Sequence, residues 1–74
     1  MILVNGVEVP APESEPLKEG QVYYVPSMLH EENYVRYTWD DDLTDKRHLE
    51  RGLIYLNKKD AIARTEAMLK YEKL

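Results

Sequence analysis

The chain has 74 residues, 43% hydrophobic and 32% charged, with ten basic against fourteen acidic side chains, a net charge of −4 and no cysteine. A chain this short holds one modest core, burying only about 60 to 65% of the surface it exposes when unfolded. The missing cysteines exclude disulfide staples, thiolate metal sites and a cysteine nucleophile, and the negative balance disfavours nonspecific binding to nucleic acid or anionic membranes.

The first element is a β-hairpin. Ile2-Leu3-Val4 and Val7-Glu8-Val9 flank Asn5-Gly6, a pair suited to a type I′ turn because both central residues need positive φ. Pro10, Pro12 and Pro16 then interrupt a polar stretch ending at Gly20; each proline lacks an N–H, so residues 10–20 form an extended connector rather than a ladder. Gln21-Val22-Tyr23-Tyr24-Val25 is β-branched and aromatic, and Pro26 stops it, which predicts a strand over 21–25. Its adjacent tyrosines point to opposite faces, so one of them is expected to be exposed. After a loop at Ser27–Asn33, the alternation of Val35, Tyr37 and Trp39 against Tyr34, Arg36 and Thr38 predicts a half-buried strand over 34–39.

Thr44 is placed to cap a short helix near 45–51, with Leu43 at a staple position, Leu49 inward, Asp45 in the first turn and Gly52 at the end. The apolar run Leu53–Leu56 predicts a central strand. Asn57 caps a last helix near 58–72, with Asp60 at the third position and Ala61, Ile62, Thr65, Met68 and Leu69 sharing one face. The order implies one α+β domain over residues 1–74, with the C-terminal helix packed on a small, mostly antiparallel sheet. No apolar run exceeds four residues, too few for a bilayer span or a signal-peptide core, so a soluble, cytoplasmic-type protein is expected.

Charge divides the chain. Residues 1–45 hold ten acidic side chains against Lys18 and Arg36, a net of −8, whereas residues 46–74 hold eight basic against four acidic ones, a net of +4. Asp40, Asp41, Asp42 and Asp45 form the densest carboxylate cluster, but the glycine and glutamate of an EF-hand loop are missing, and a strand end followed by a helix N-terminus accounts for the charge without a metal. His30 and His48 are the only imidazoles; His48 lies three residues after Asp45, a spacing common on ordinary helices. Neither a nucleophile elbow nor a phosphate-cradling glycine loop is present, so no enzyme, cofactor or metal role is expected. Six tyrosines and one tryptophan without a phenylalanine suit a contact surface, since these rings combine apolar area with a polar handle.

Asn5-Gly6-Val7-Glu8-Val9-Pro10-Ala11-Pro12 followed by Glu19-Gly20-Gln21-Val22-Tyr23-Tyr24-Val25-Pro26, and later Trp39 with its Asp run, Leu49, Gly52-Leu53-Ile54-Tyr55 and a helix from Asp60, resemble small accessory proteins of tailed bacteriophages and prophages. The resemblance implies a bacterial host cell and action by binding a host or phage protein, including inhibition of a defence complex or nuclease, and it carries no catalytic residues. The expected contact face comprises Glu31, Glu32, Tyr34, Arg36, Asp40, Asp41, Asp42 and Asp45. Two other readings stand beside it. One is a nucleic-acid-binding module using Lys46, Arg47, Arg51, Lys58, Lys59 and Arg64; the other is an oligomeric protein that sequesters a small ligand, with the Ile2–Val4 edge available to pair across a two-fold axis.

Overall fold

A computed structural model describes residues 1–70, and the expected positions 71 and 72 of the last helix lie outside them. The elements are β1 (Ile2–Val4), β2 (Val7–Val9), β3 (Val22–Pro26), β4 (Tyr34–Thr38), α1 (Leu43–Glu50) and α2 (Lys58–Met68). β1 pairs with β2 and β3 with β4, both antiparallel, giving two two-stranded sheets and two helices, an α+β fold. One shared sheet was the expectation; the proline-bearing connector separates the two hairpins, and α2 joins them by lying against strands of both. Asn5 (φ +50) and Gly6 (φ +80) take the positive-φ pair of the type I′ turn, setting Ile2 opposite Val9 and Val4 opposite Val7. Asn5 Nδ2 donates to the carbonyls of Ala67 (3.2 Å) and Met68 (3.3 Å), so the hairpin turn closes the C-terminal end of α2.

Entry into β3 is equally specified. Gln21 N–H donates to Lys18 O, with Gly20 at φ +85, and Trp39 receives Gly20 N–H on its carbonyl while donating its own N–H to Gln21 O. This is a tight turn running into a glycine bulge, and it requires a residue that tolerates positive φ. β3 and β4 then align Tyr23 with Tyr37 and Tyr24 with Arg36. Alternation sends Tyr23, Val25, Tyr37 and Trp39 to one face, where Tyr23, Val25 and Trp39 form the core with Ile54, covered by Leu17, Leu49 and Leu53. On the other face Tyr24 is half-buried and meets Tyr34 edge-on, ring centroids 5.4 Å apart. Neither Tyr23 nor Tyr24 is exposed, contrary to expectation: Tyr23 lies in the core, and Tyr24, half-buried against Tyr34, also forms a backbone bridge with Tyr55.

That bridge is what becomes of the expected strand at Leu53–Leu56. Tyr55 exchanges both backbone hydrogen bonds with Tyr24 (2.7 and 2.9 Å), but Leu53 N–H is taken by His48 O and Ile54 O by Glu13 N–H. With its neighbours committed to a helix end and to the connector, Tyr55 is the sole rung. The helix end is a Schellman motif: Gly52, at φ +67, donates to Leu49 O (3.1 Å) while Leu53 donates to His48 O (2.9 Å). At the other end of α1 the cap is Asp42, not Thr44, its side chain accepting Asp45 N–H at 2.8 Å. Asp41 at φ +57 turns the chain so that Asp42 enters extended and the helix begins one residue later; Leu43 becomes its first residue, 64% exposed and therefore no staple.

Asn57 caps α2 as expected, accepting Lys59 N–H at 2.8 Å. Ala61, Thr65 and Ala67 are buried, whereas Leu69 is 40% exposed, so the helix turns a narrower, small-residue face inward than its periodicity suggests. Small side chains let the backbone of α2 approach β3 closely. Among the described residues no helix is long and apolar enough to cross a membrane.

Candidate functional site

The eight residues expected to form one contact face are divided between the two ends of the β3–β4 hairpin. Glu31 and Glu32 are exposed in the loop joining the strands, and Tyr34 is half-buried where β4 begins. Arg36 is exposed in mid-strand, and Asp40, Asp41 and Asp42 are exposed beyond its far end. β4 alone separates the two groups by roughly 13 Å, at about 3.3 Å per residue. Asp45 leaves the face altogether, at 2% exposure. Among the described residues no three His, Asp or Glu side chains are grouped to hold a metal ion.

The Asp45 carboxylate is buried with two donors converging on it. Tyr23 O–H donates to Oδ1 and Asp40 N–H to Oδ2 at 2.6 Å, while Asp45's own N–H is held by Asp42. Burial by itself raises the Asp45 pKa, but the Tyr23 hydroxyl and the Asp40 amide outweigh it and hold the carboxyl below its ordinary value. Tyr23 responds oppositely: burial first, then its hydrogen bond to the Asp45 carboxylate, pushes the phenol far above its ordinary 10.0. His48 Nδ1 lies 2.9 Å from the same phenol oxygen. Its ring packs on Tyr37 (4.6 Å between centroids) and edge-on to Tyr23 (5.8 Å), and desolvation lowers its pKa below the ordinary 6.5 against the opposing pull of Asp45 and Asp42. Proton bookkeeping then fixes the tautomer: an ionised Asp45 takes the single Tyr23 proton, so His48 Nδ1 must be the donor to Tyr23, leaving Nε2 with a free lone pair.

The tip, by contrast, leaves its side chains in solvent while holding its backbone. Thr65, buried on α2, accepts Ser27 N–H (3.0 Å) and donates to Asn33 O (2.6 Å), clasping both ends of the loop. Inside the clasp, Ser27 N–H also reaches Asn33 O (3.3 Å), Asn33 N–H donates to His30 O (2.9 Å), and Ser27 Oγ bonds His30 Nδ1 (2.7 Å) while accepting Leu29 N–H (3.3 Å). Asn33, at φ +69, makes the turn that ends the loop. Leu29 projects from this scaffold at 93% exposure with Met28 at 54%, beside Glu31 and Glu32. Sequence reasoning passed over Met28 and Leu29; their signal is an apolar pair in a loop too short to fold it back onto the core.

The basic residues are not equivalent either. Lys46, Arg47, Arg51, Lys58 and Lys59 are exposed, but Arg64 turns inward: Nη1 donates to Gly52 O and lies 3.3 Å from Tyr55 Oη, with the guanidinium 5.9 Å over the Tyr55 ring. Tyr55 in turn donates to Pro10 O at 2.8 Å, so Arg64 fastens the α1–α2 turn and, through Tyr55, the connector. No family model, curated protein or solved structure matches this chain.

Proposed function

We propose that the protein acts by binding another protein rather than by catalysis, with the β3–β4 tip as its contact element. The observation that carries this reading is Leu29, 93% exposed on a loop whose backbone is clasped by Thr65. An exposed leucine on a loose loop loses much of its burial energy to ordering on binding; on a held loop that cost is already met by the fold. Burying such a side chain contributes about 1.5 to 3 kcal/mol, the scale of an interface hot spot. Glu31 and Glu32 beside it suit an apolar socket with a basic rim. Basic surfaces are frequent on proteins that handle nucleic acid, and a phage accessory protein that blocks a host nuclease or defence complex is the biological setting we propose.

The test is affinity capture from nuclease-treated bacterial lysate at moderate salt, comparing the native chain with Leu29→Ser and with Glu31→Lys/Glu32→Lys. A stoichiometric protein retained by the native chain and lost with both variants is the expected result. Recovery of the bait alone, or retention indifferent to the tip substitutions, overturns the reading.

A further inference from the structure

Away from the tip, α1 presents a second surface of different chemistry. Thr44, Arg47, His48 and Arg51 fall at i, i+3, i+4 and i+7, one face of the helix, and with Leu53 they line an open groove of about 310 Å³. The volume lies at the small end of ligand sites. Its donors are two guanidiniums and a hydroxyl, and its acceptor is the His48 lone pair at Nε2, which has no partner among the described residues. The inner ring nitrogen is spoken for by Tyr23, so the buried network presets the outer one.

We propose that this groove binds a small phosphate monoester in its monoprotonated form. Arg47 and Arg51 offer planar forks that match phosphoryl oxygens, Thr44 supplies a hydroxyl, and the P–O–H of the ligand donates to His48 Nε2. Leu53 gives the ester substituent an apolar floor. The groups facing His48 set its protonation: Tyr23 from β3, the Tyr37 ring from β4, and Asp45 and Asp42 from α1 and its cap. Burial disfavours the charged imidazole in the native fold, and Nδ1 is engaged with Tyr23, so Nε2 is set to accept a proton that the ligand carries. A phosphate monoester, whose second ionisation falls near about pH 6, can bring that proton. Sulfate, fully ionised at neutral pH, cannot.

The experiment is titration of the full chain with phenyl phosphate, inorganic phosphate and sulfate, followed by the ¹⁵N shift of His48 Nε2 and by calorimetry. Phenyl phosphate is expected to bind more tightly than inorganic phosphate, and sulfate more weakly than either. Affinity for phenyl phosphate should fall about fiftyfold between about pH 6 and pH 8 as the ligand loses its proton. Arg47→Ala/Arg51→Ala should weaken binding about tenfold or more, with Arg47→Lys/Arg51→Lys recovering part of it because charge returns without the fork. The Nε2 shift reads the native chain, so the proposal does not depend on any variant folding. An unmoved Nε2 resonance, sulfate binding as tightly as phosphate, or indifference to the arginine substitutions each overturns it.

Discussion

The two ends of the β3–β4 hairpin carry similar acidic sequences and use them in opposite ways. At the tip, Glu31 and Glu32 stand in solvent, and the loop is held by Thr65, Ser27 and Asn33 instead. At the base, the carboxylates are structural: Asp42 caps α1 and Asp45 gathers Tyr23, Asp40 N–H and, through Tyr23, His48. What separates the two is access to unpaired donors. A strand end abutting a helix N-terminus exposes backbone N–H groups that a carboxylate can satisfy, whereas the tip satisfies its own backbone internally. Carboxylate density therefore says little about function until each oxygen has been assigned a donor.

The comparison breaks most sharply at Asp45. Asp45→Ala removes the acceptor of the Tyr23 hydroxyl and the Asp40 amide, and because lost charge-assisted bonds and unsatisfied groups cost about 1 to 3 kcal/mol each, a loss of about 2 to 4 kcal/mol is expected. Urea denaturation with tryptophan fluorescence measures it, since Trp39 lies in the same core. A loss under about 1 kcal/mol would mean that water replaces the carboxylate.

Acid titration examines the same network without a substitution. The Asp45 pKa is depressed in the fold, so its contribution is fully present above the ordinary 3.8 and is lost as pH falls through the lower folded value. The His48 pKa is also lowered; the unfolded chain therefore takes up the proton first, and stability begins to fall as pH drops below the ordinary 6.5. Both groups destabilise toward acid, the imidazole first. Tyr23 bounds the alkaline side, because its raised pKa makes the unfolded chain ionise first above the ordinary 10.0. Melting temperature against pH should thus show a plateau between neutrality and mild alkali, and His48→Gln should remove the early part of the acid decline. A profile flat from pH 7 to about pH 5 would contradict the lowered imidazole.

Much of this arrangement was open to sequence reasoning, and where it was not the reasons are topological. Asn5-Gly6 and Asn57 are local signals, each bound to one backbone geometry, and both elements form where those residues place them. The Asp42-for-Thr44 exchange is a competition between two good caps, decided by the positive φ of Asp41, which no local propensity reveals. Leu53–Leu56 has strand composition, but its backbone groups are claimed by His48 and Glu13, distant partners that only the assembled chain supplies. Tyr23 and Asp45 are 22 residues apart, and their meeting depends on how α1 folds back over β3. The division of the acidic face is different in kind: a strand at Tyr34–Thr38 already forces Glu31 and Glu32 to the end opposite Asp40, Asp41 and Asp42.

Asp42 lies between the extremes and sharpens the contrast. Its side chain accepts one N–H, that of Asp45, at an exposed helix end. Asp42→Ala should cost about 1 kcal/mol, the ordinary value of an N-cap; a cost matching that of Asp45→Ala would show that the cap and the buried carboxylate act as a single unit.

Glu31→Lys/Glu32→Lys anchors the other end of the series. No hydrogen bond of the clasp involves either side chain, since Thr65, Ser27, Asn33 and His30 carry the loop. The denaturation midpoint should stay where it is in the native chain, and surface substitutions away from caps and buried networks generally behave this way. The same double variant is expected to lose the protein partner captured by the native tip. A shifted midpoint would make the glutamates part of the fold's support, and the two ends of the hairpin would then differ in degree rather than in kind. Unchanged stability with lost capture would place the cost of the two charges wholly in binding, which is what a loop organised in advance of its partner requires.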